Sequence, residues 1–274
     1  MSRGGREDLG EQVAVVTGGA SGIGRALVAQ LMRRRARVAV LDASREGCER
    51  LREHGVVACQ VDVREPQQVH DAAARIAKEM GPVDLLFNNA GVAAIGPALS
   101  VPEADMRWVI DVNLLGAITV TQSFVPTMIG RRTRVAFTCS LAGLLAAPTM
   151  AVYSASKFGL RGYAQALRGE LRQSGPSITI VYPGYVPTGL HEATRYHGAG
   201  VRELIGALPQ RLAASPEQVA TKILAATLAG QRELTLGPER LFVWLQRLSP
   251  AGFERTANAL LGVVESRLGG APAV

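Results

Sequence analysis

Length, composition and charge limit what this chain can be. Its 274 residues are 47% hydrophobic and 19% charged, which suits a large buried core and is too apolar for a disordered chain. The formal net charge is +7, but the basic residues are scattered and aromatic residues make up only 5%. Because a nucleic-acid surface needs clustered arginines with interleaved aromatics, this composition argues against nucleic acid as a partner.

Cysteine usage and the first residues indicate the compartment. Cys48, Cys59 and Cys139 are odd in number and lack metal-ligand spacing, which argues against a disulfide framework and against a metal site. Residues 1–10 are polar without an apolar signal region, and no uninterrupted apolar run reaches the ~18 residues of a spanning helix. We expect a cytoplasmic protein with no membrane span and at most a surface contact with a membrane.

The predicted elements alternate between strand and helix. Strands are predicted at 12–17, 37–41, 56–63, 83–88, 133–138, 177–182 and 233–236. Helices are predicted at 22–34, 44–54, 66–80, 103–130, 151–174 and 215–229. Because the strands are continuous apolar runs, we expect a parallel sheet covered by helices on both faces. The sequence therefore predicts an α/β fold, a single doubly wound Rossmann domain with about seven strands.

Three segments flank or interrupt the predicted domain of residues 11–237. Residues 1–10 are expected to be flexible, and residues 184–212 to form a mobile loop over the carboxyl edge of the sheet. Residues 238–274 are predicted as a C-terminal helical extension. Its apolar stripe consists of Leu241, Phe242, Trp244, Leu245 and Leu248. This stripe packs on its own subunit or a neighbour, covers a site as a lid, or contacts a membrane surface, and the sequence leaves these alternatives open.

A glycine-rich turn joins the first predicted strand to the first predicted helix. Its sequence is Thr17-Gly18-Gly19-Ala20-Ser21-Gly22-Ile23-Gly24. Glycines permit a tight turn and a close approach of the backbone to a pyrophosphate, while the helix N-terminus supplies amide donors. The position between strand and helix predicts a dinucleotide site that includes Gly18, Ser21, Gly22, Ile23 and Gly24.

Polar residues follow the next three predicted strands. The carboxylate of Asp42 can accept both hydroxyls of an adenosine ribose and would repel a 2′-phosphate, which favours NAD over NADP. Arg45 could instead recruit a phosphate, and Asp42 could be a helix cap. Asp62 and the run Asn88-Asn89-Ala90-Gly91 end the third and fourth strands, where doubly wound proteins bind ligands. In isolation each could also be a turn former.

Tyr153 and Lys157 are four residues apart at the start of a predicted helix, so their side chains share one face. Together with earlier motifs they form a set that resembles the short-chain dehydrogenase/reductase family. The set is Thr17-Gly18-x-x-x-Gly22-x-Gly24, Asn88-Asn89-Ala90-Gly91, Ser140, Tyr153-Ser154-Ala155-Ser156-Lys157 and Pro183-Gly184. The match spans about residues 10–236, in order and with the family's spacing.

The resemblance implies an oxidoreductase that interconverts an alcohol and a ketone with a nicotinamide cofactor. Tyr153 would be the acid–base group, Ser140 would bind the substrate oxygen, and Lys157 would contact the nicotinamide ribose. Asn113 would hold a water beside Lys157 and complete a proton relay. We expect Lys157 and the positive nicotinamide ring together to lower the pKa of Tyr153 from its ordinary value near ~10.

The resemblance also implies further cofactor contacts and a substrate pocket. The contacts are Asp62 at the adenine with its neighbour Val63, Asn89, Ala90 and Gly91 along the cleft, Pro183 and Gly184, and Val186 and Thr188 at the carboxamide. Residues 142–150 and 185–209 would build the pocket. The first stretch is almost wholly apolar, which predicts an uncharged, lipophilic secondary alcohol or ketone. His191, Arg195 and His197 in the loop could orient a polar group or face solvent.

Two functions of different class stay open on this fold. A dehydrogenase or ketoreductase needs the set Asn113, Ser140, Tyr153 and Lys157, whereas a dinucleotide-sensing binding protein has no need of a proton relay. By resemblance, we expect a homodimer or homotetramer formed through the two long predicted helices.

Overall fold

The computed structural model describes residues 8–187, 190–198, 200–206 and 214–237, with isolated positions between 243 and 259. Thr188, residues 1–7 of the predicted flexible segment, and most of the predicted C-terminal extension lie outside these residues. Within the predicted flexible segment, Leu9 is buried, and its N–H donates to the carbonyl of Arg34 over 2.8 Å. The ordered domain therefore begins earlier than residue 11.

Seven parallel strands form the central sheet, which confirms the predicted fold. They are β1 (Val13–Thr17), β2 (Arg37–Asp42), β3 (Val57–Gln60), β4 (Leu85–Asn88), β6 (Arg134–Thr138), β7 (Ser177–Tyr182) and β9 (Glu233–Thr235). Their order across the sheet is β3-β2-β1-β4-β6-β7-β9. The chain reverses direction across the sheet between β1 and β4, and this switch point is where doubly wound folds bind ligands.

Helices cover both faces of the sheet. They are α1 (Gly22–Arg33), α2 (Arg45–Glu53), α3 (Pro66–Met80), α4 (Glu103–Ile110), α5 (Ala117–Phe124), α6 (Ala151–Glu170), α7 (Leu190–Ala193), α8 (Val201–Gly206) and α9 (Pro216–Leu228). Alternate strand residues face opposite layers, so Val15 and Leu86 pack toward α3, α5 and α6, while Val16 and Phe87 pack toward α1 and α9. Burial on both sides explains why the strands read as continuous apolar runs.

The long helix predicted at 103–130 is present as Glu103–Met128, with two irregular turns that the sequence did not predict. A π-helical turn, Asp111–Gly116, separates α4 from α5, and a 3-10 turn, Val125–Met128, ends the segment. By length and composition the stretch Glu103–Met128 could cross a membrane, but half of its most apolar window is buried inside the protein. We describe it as a core helix, because α5 packs on α3 and α4 packs on α6.

A second, two-stranded sheet is absent from the sequence-based prediction. Its strands β5 (Ala94–Ile95) and β8 (Arg195–Tyr196) pair in parallel. β8 lies within residues 184–212, predicted as a loop, so part of that segment has regular structure and hydrogen bonds to the domain. From the C-terminal extension, Val243 is buried and belongs to the core cluster that contains α3, α5 and α6.

Candidate functional site

The glycine-rich turn after β1 has a backbone that only glycine adopts easily. Gly18 and Gly22 have φ values of 66° and 50°, in the left-handed region. A Cβ on Gly18 would lie 2.9 Å from the Cα of Ala90, and a Cβ on Gly24 would overlap the carbonyl oxygen of Gly18. The glycines are therefore needed to pack α1 and the end of β4 against the turn.

The N-terminus of α1 is available to an anion. Ser21 is its N-cap in an extended conformation, no described side chain caps it, and its first turn contains no acidic residue. First-turn N–H groups without a side-chain partner carry a partial positive charge that suits a phosphate. The turn and helix together fit the pyrophosphate of a dinucleotide. Ile23, also predicted to bind the cofactor, is half-buried and packs against the core beneath α1.

Asp42, at the end of β2, is held in place by two backbone donors. Its Oδ2 accepts from the N–H of Ala20 and its Oδ1 from the N–H of Ser44, both over 2.9 Å. The side chain that caps α2 is Ser44, which accepts from Gly47 N–H, so the alternative of Asp42 as the α2 cap is wrong. The guanidinium of Arg45 donates to Glu49 instead of facing Asp42.

Asp62 lies two residues beyond the end of β3 and not at the predicted strand end, and it has a partner that sequence reasoning missed. The guanidinium of Arg64 donates to both carboxylate oxygens of Asp62, with Nε–O distances of 3.0 Å. This hydrogen bonding lowers the pKa of Asp62 below its ordinary value and keeps the carboxylate ionised. Val63 is buried, and its side chain lies against the backbone of Gly116, in the space that a Cβ at Gly116 would need. The Val63 side chain therefore belongs to the core.

The end of β4 is joined to the glycine-rich turn by a small hydrogen-bond network. The hydroxyl oxygen of Thr17 accepts from the N–H groups of Asn89 and Ala90, over 2.9 and 3.0 Å. The amide of Asn89 donates to the carbonyls of Thr17 and Gly18. Asn89 therefore fixes the relative position of two cofactor-binding segments. Thr17 was quoted in the motif but not predicted as a site residue.

The predicted catalytic residues come together at the start of α6. Tyr153 and Lys157 lie on one face of the helix and are 7% and 3% exposed. The side chain of Ser140 is close enough to the phenol of Tyr153 to oppose the rise in its pKa. The Lys157 ammonium donates to the carbonyl of Thr138 over 3.2 Å and lies 5.8 Å from the centre of the Tyr153 ring.

Burial controls the protonation of this pair in the protein alone. Burial raises the pKa of Tyr153 to about 12, against the opposing effect of the Ser140 side chain. Burial also lowers the pKa of the Lys157 ammonium. The expected lowering of the Tyr153 pKa is therefore reversed in the protein by itself, because removing the phenolate from water outweighs what these side chains offer it.

The raised pKa predicts a specific dependence of stability on pH. From the ordinary value of 10.0 up to about 12, folded Tyr153 keeps a proton that the unfolded chain has lost. This stabilisation is fully present below pH 10 and is lost as the pH rises toward 12. In that window the free energy of unfolding should fall about 1.4 kcal/mol per pH unit more steeply than in Tyr153→Phe. Urea unfolding of both proteins across this range measures the difference, and parallel curves would contradict the assignment.

Asn113 lies in the π-helical turn, next to the catalytic pair. A Cβ on Gly91 would lie 3.3 Å from both Asn113 Oδ1 and Lys157 Nζ. The two side chains therefore both lie beside the backbone of Gly91. The Asn113 amide exchanges two hydrogen bonds with the backbone of Val92 and donates to Ser156 over 3.0 Å. Both of its N–H groups are thus committed within the protein, and the bond to Ser156 joins the π-helical turn to α6.

Ser156 is a further site residue that sequence reasoning did not single out. Its hydroxyl donates to the backbone carbonyl of Tyr153 over 2.7 Å while accepting from Asn113. It is fully buried. The chain Val92–Asn113–Ser156–Tyr153 links the cofactor cleft to the catalytic helix. Its position inside the Tyr-x-x-x-Lys motif was the only available signal.

Comparison with known families tests the resemblance independently. The family model for short chain dehydrogenases matches residues 12–197, more than half of the chain. This chain belongs to the short-chain dehydrogenase/reductase family. The matched region contains the glycine-rich turn, β4 and the whole catalytic helix.

Individual relatives agree with this assignment. The oxidoreductase UcpA of Salmonella typhimurium is 34% identical over 232 residues, covering 80% of this chain and 87% of UcpA. SadH of Mycobacterium tuberculosis is 32% identical over 260 residues, covering 90% and 94% of the two chains. A short chain dehydrogenase/reductase from Burkholderia phymatum, solved in complex with NAD, superposes with a TM-score of 0.80 at 28% identity, covering 88% of this chain and 94% of that one. The chain is an oxidoreductase of this family.

In this short-chain dehydrogenase/reductase an apolar wall surrounds Tyr153, the predicted catalytic tyrosine. Tyr153 belongs to a buried cluster whose other members are Ala93, Ile95, Ala142 and Val201, with Met150 and Tyr196 packed against it. These side chains come from both predicted pocket segments, from β5 and from the residue before it. Arg195 and His197 lie within ion-pairing distance of Asp105. The side chain of His191 lies outside the described residues.

The segment after β7 also packs as part of the short-chain dehydrogenase/reductase domain. The Pro183 carbonyl accepts from Leu141 N–H, and Gly184 N–H donates to the Leu236 carbonyl, both over 3.0 Å. Val186 is buried in the core cluster under α9, so a contact with a carboxamide would come from its backbone. Among the residues that the structure describes, no three His, Cys, Asp or Glu side chains group as metal ligands.

Proposed function

We propose that this oxidoreductase uses NAD(H) to interconvert an uncharged, lipophilic secondary alcohol and the corresponding ketone. The observation that carries the proposal is the position of the Tyr153 phenol, which lies near the Ser140 side chain, beside Lys157 and within an apolar wall. A phenol that can give and take a proton next to a second hydroxyl suits a carbonyl or carbinol oxygen. The apolar wall suits a substrate without charge.

Each side chain has one role in the proposed reaction. Ser140 donates a hydrogen bond to the substrate oxygen and stabilises negative charge that develops on it. Tyr153 gives its proton to that oxygen in ketone reduction and takes it back in alcohol oxidation. Lys157 holds a positive charge near the phenol, which favours the phenolate form needed for oxidation. The buried surroundings exclude water from the proton transfer.

The residues around the glycine-rich turn suit a nicotinamide dinucleotide. The N-terminus of α1 would hold the pyrophosphate and Asp42 the adenosine ribose. When bound, the reduced dinucleotide would give a hydride to the carbonyl carbon, and the oxidised dinucleotide, with its positively charged nicotinamide ring, would accept one from the carbinol carbon. A positive charge near Tyr153 would lower the pKa of the phenol, which the protein's own groups leave at about 12.

Substitution of Asp42 tests the choice of NAD. Its carboxylate is already oriented by Ala20 and Ser44 and leaves lone pairs for a ribose diol. In Asp42→Ala the repulsion of a 2′-phosphate is lost, and the ratio of kcat/KM for NADH over NADPH should fall by about tenfold or more. Glu46→Gln, an exposed acidic residue on α2 paired with Arg50, is the matched control and should keep the wild-type ratio. An unchanged ratio in Asp42→Ala would assign the selection to another residue.

A single assay separates this proposal from the sensor alternative. Purified protein is titrated with NADH and with NADPH and then supplied with a panel of lipophilic ketones and alcohols, followed by nicotinamide absorbance. Turnover with NADH supports the dehydrogenase. Binding of NADH without turnover in either direction across the panel would favour a dinucleotide-sensing protein.

A further inference from the structure

A buried carboxylate on α4 contacts an arginine and a histidine side chain that lie 90 or more residues later in the chain. Asp105 is 9% exposed. Arg195 on β8 forms an ion pair with its Oδ1, and His197 Nε2 lies 2.8 Å from its Oδ2. A buried carboxylate is stable when cationic or hydrogen-bonding groups surround it, and here both come from one segment. That segment, residues 193–198 and 200–206, is called the cover segment below.

An aromatic ring completes the contact. The guanidinium carbon of Arg195 lies 3.9 Å from the centre of the Trp108 ring, one helical turn after Asp105 on α4. A guanidinium over an indole face is held by the ring quadrupole as well as by dispersion. Arg195 is therefore fixed on two sides by α4, although part of its side chain remains exposed.

Backbone pairing holds the same segment against β5. The N–H of Arg195 donates to the Ala93 carbonyl over 3.1 Å and the N–H of His197 to the Ile95 carbonyl over 2.8 Å. The ladder has only two residues per strand, which is too short to be stable without other contacts. The ionic contact at Asp105 lies immediately beside it and supplies that support.

The cover segment lies over the catalytic tyrosine. Tyr196 and Val201 pack in the cluster that surrounds Tyr153, together with Ile95 and Ala142. Tyr153 is only 7% exposed in this arrangement, and Tyr196 and Val201 of the cover segment contribute to its burial. The guanidinium of Arg195 is directed to Asp105, and the cover segment contributes Val201 and the ring of Tyr196 to the cluster around Tyr153.

We propose that Asp105 is a positioning residue that latches the cover segment over the active site. Release of the latch would leave the Asp105 carboxylate on α4 without the Arg195 guanidinium, so the closed position of the cover segment is stabilised by this side chain in addition to the backbone pairing with β5. The latch deepens the proposed function, because it makes the cover segment an apolar wall for an uncharged substrate. Its effects on catalysis therefore rest on that function, whereas its effect on the segment does not.

The experiment follows the cover segment directly. The chain has two tryptophans, Trp108 and Trp244, so Trp244→Phe leaves Trp108 as the single reporter beneath Arg195. In this background Asp105→Asn is compared with Glu103→Gln, which removes an exposed carboxylate from the same helix, also paired with an arginine. Acrylamide quenching of Trp108 emission and tryptic cleavage at Arg195–Tyr196 and Arg202–Glu203 are measured. The KM for substrate and the Kd for NADH complete the comparison.

The latch predicts a selective effect. Asp105→Asn should accelerate cleavage at both bonds and raise the KM for substrate by about tenfold, with NADH Kd unchanged and Trp108 more accessible to quencher. Glu103→Gln should match its parent. If Asp105→Asn impairs folding, Arg195→Gln, on the segment itself, should give the same quenching and the same faster cleavage at Arg202–Glu203.

If the folded variants and their parent show equal quenching of Trp108 and equal rates of tryptic cleavage, the proposal that Asp105 holds the cover segment is wrong. If the protein shows no turnover, the fluorescence and cleavage results still show whether Asp105 holds the cover segment. Failure of the proposed function and failure of the latch are therefore distinguished. A general loss of stability would expose many tryptic sites. A released latch exposes only those of the cover segment.

Discussion

Tyr153→Phe should abolish ketone reduction and alcohol oxidation while leaving NADH binding intact. The substitution removes one hydroxyl and keeps the ring that packs against Ile95, Ala142 and Val201. Since general acid–base catalysis contributes roughly 10²–10⁴-fold, we expect kcat to fall by about 10³-fold, with Kd for NADH changed by less than about twofold. Steady-state kinetics and a fluorescence titration with NADH measure the two quantities.

Tyr163→Phe is the matched control on the same helix. Tyr163 packs edge-on against Phe137, with ring centres 6.2 Å apart, and points away from the cluster around Tyr153. Loss of its hydroxyl should leave kcat near the wild-type value. If Tyr153→Phe kept wild-type turnover, the proton donor would have to be another group. If it lost NADH binding as well, Tyr153 would be needed for the architecture of the cleft.

Gly24→Ala should have the largest effect on the fold itself. A Cβ at this position would overlap the carbonyl oxygen of Gly18 and lie 2.7 Å from the side-chain nitrogen of Asn89. Both atoms belong to the hydrogen-bond network that joins β1 to β4. The first is backbone, so the turn itself must shift. We expect a loss of about 3 kcal/mol or more in the free energy of unfolding and a large loss of NADH affinity.

Gly162→Ala is the same substitution as Gly24→Ala, but it should raise the free energy of unfolding. Gly162 lies in the middle of α6, and its Cβ would meet nothing within 4 Å. Alanine there should stabilise the protein by about 0.5–1 kcal/mol, because glycine loses more conformational freedom in a helix. Urea unfolding of both variants gives the comparison. Equal effects would show that the close approach of α1 to the turn does not require a glycine at position 24.

Sequence reasoning succeeded where a local pattern carries the structure. The strands were found because apolar runs such as Val13–Thr17 are buried on both faces, and the turn because positive φ at Gly18 and Gly22 requires glycine. Tyr153 and Lys157 were placed on one helix face by their spacing alone. Each of these features is determined within about a dozen residues, so one sequence is enough to predict it.

Sequence reasoning failed where the partner is distant or the element is very short. Two-residue strands such as Ala94–Ile95 have no periodicity to detect, and the π-helical turn keeps the apolar spacing of a helix on either side. In the sequence Asp105 looks like an ordinary surface carboxylate, because its partner Arg195 lies far away along the chain. The direction of the Tyr153 pKa shift depends on burial, which a motif does not report.

The central position of β1 has a consequence for synthesis of the protein. β1 has β2 on one edge and β4 on the other, and Asn89 reaches Thr17 across 72 residues of chain. On the ribosome one edge of β1 must therefore stay unpaired while those residues are made, about 4–14 s at typical rates. A nascent chain with an open, apolar strand edge is exposed to aggregation, so this enzyme should depend on chaperones most strongly before β4 emerges.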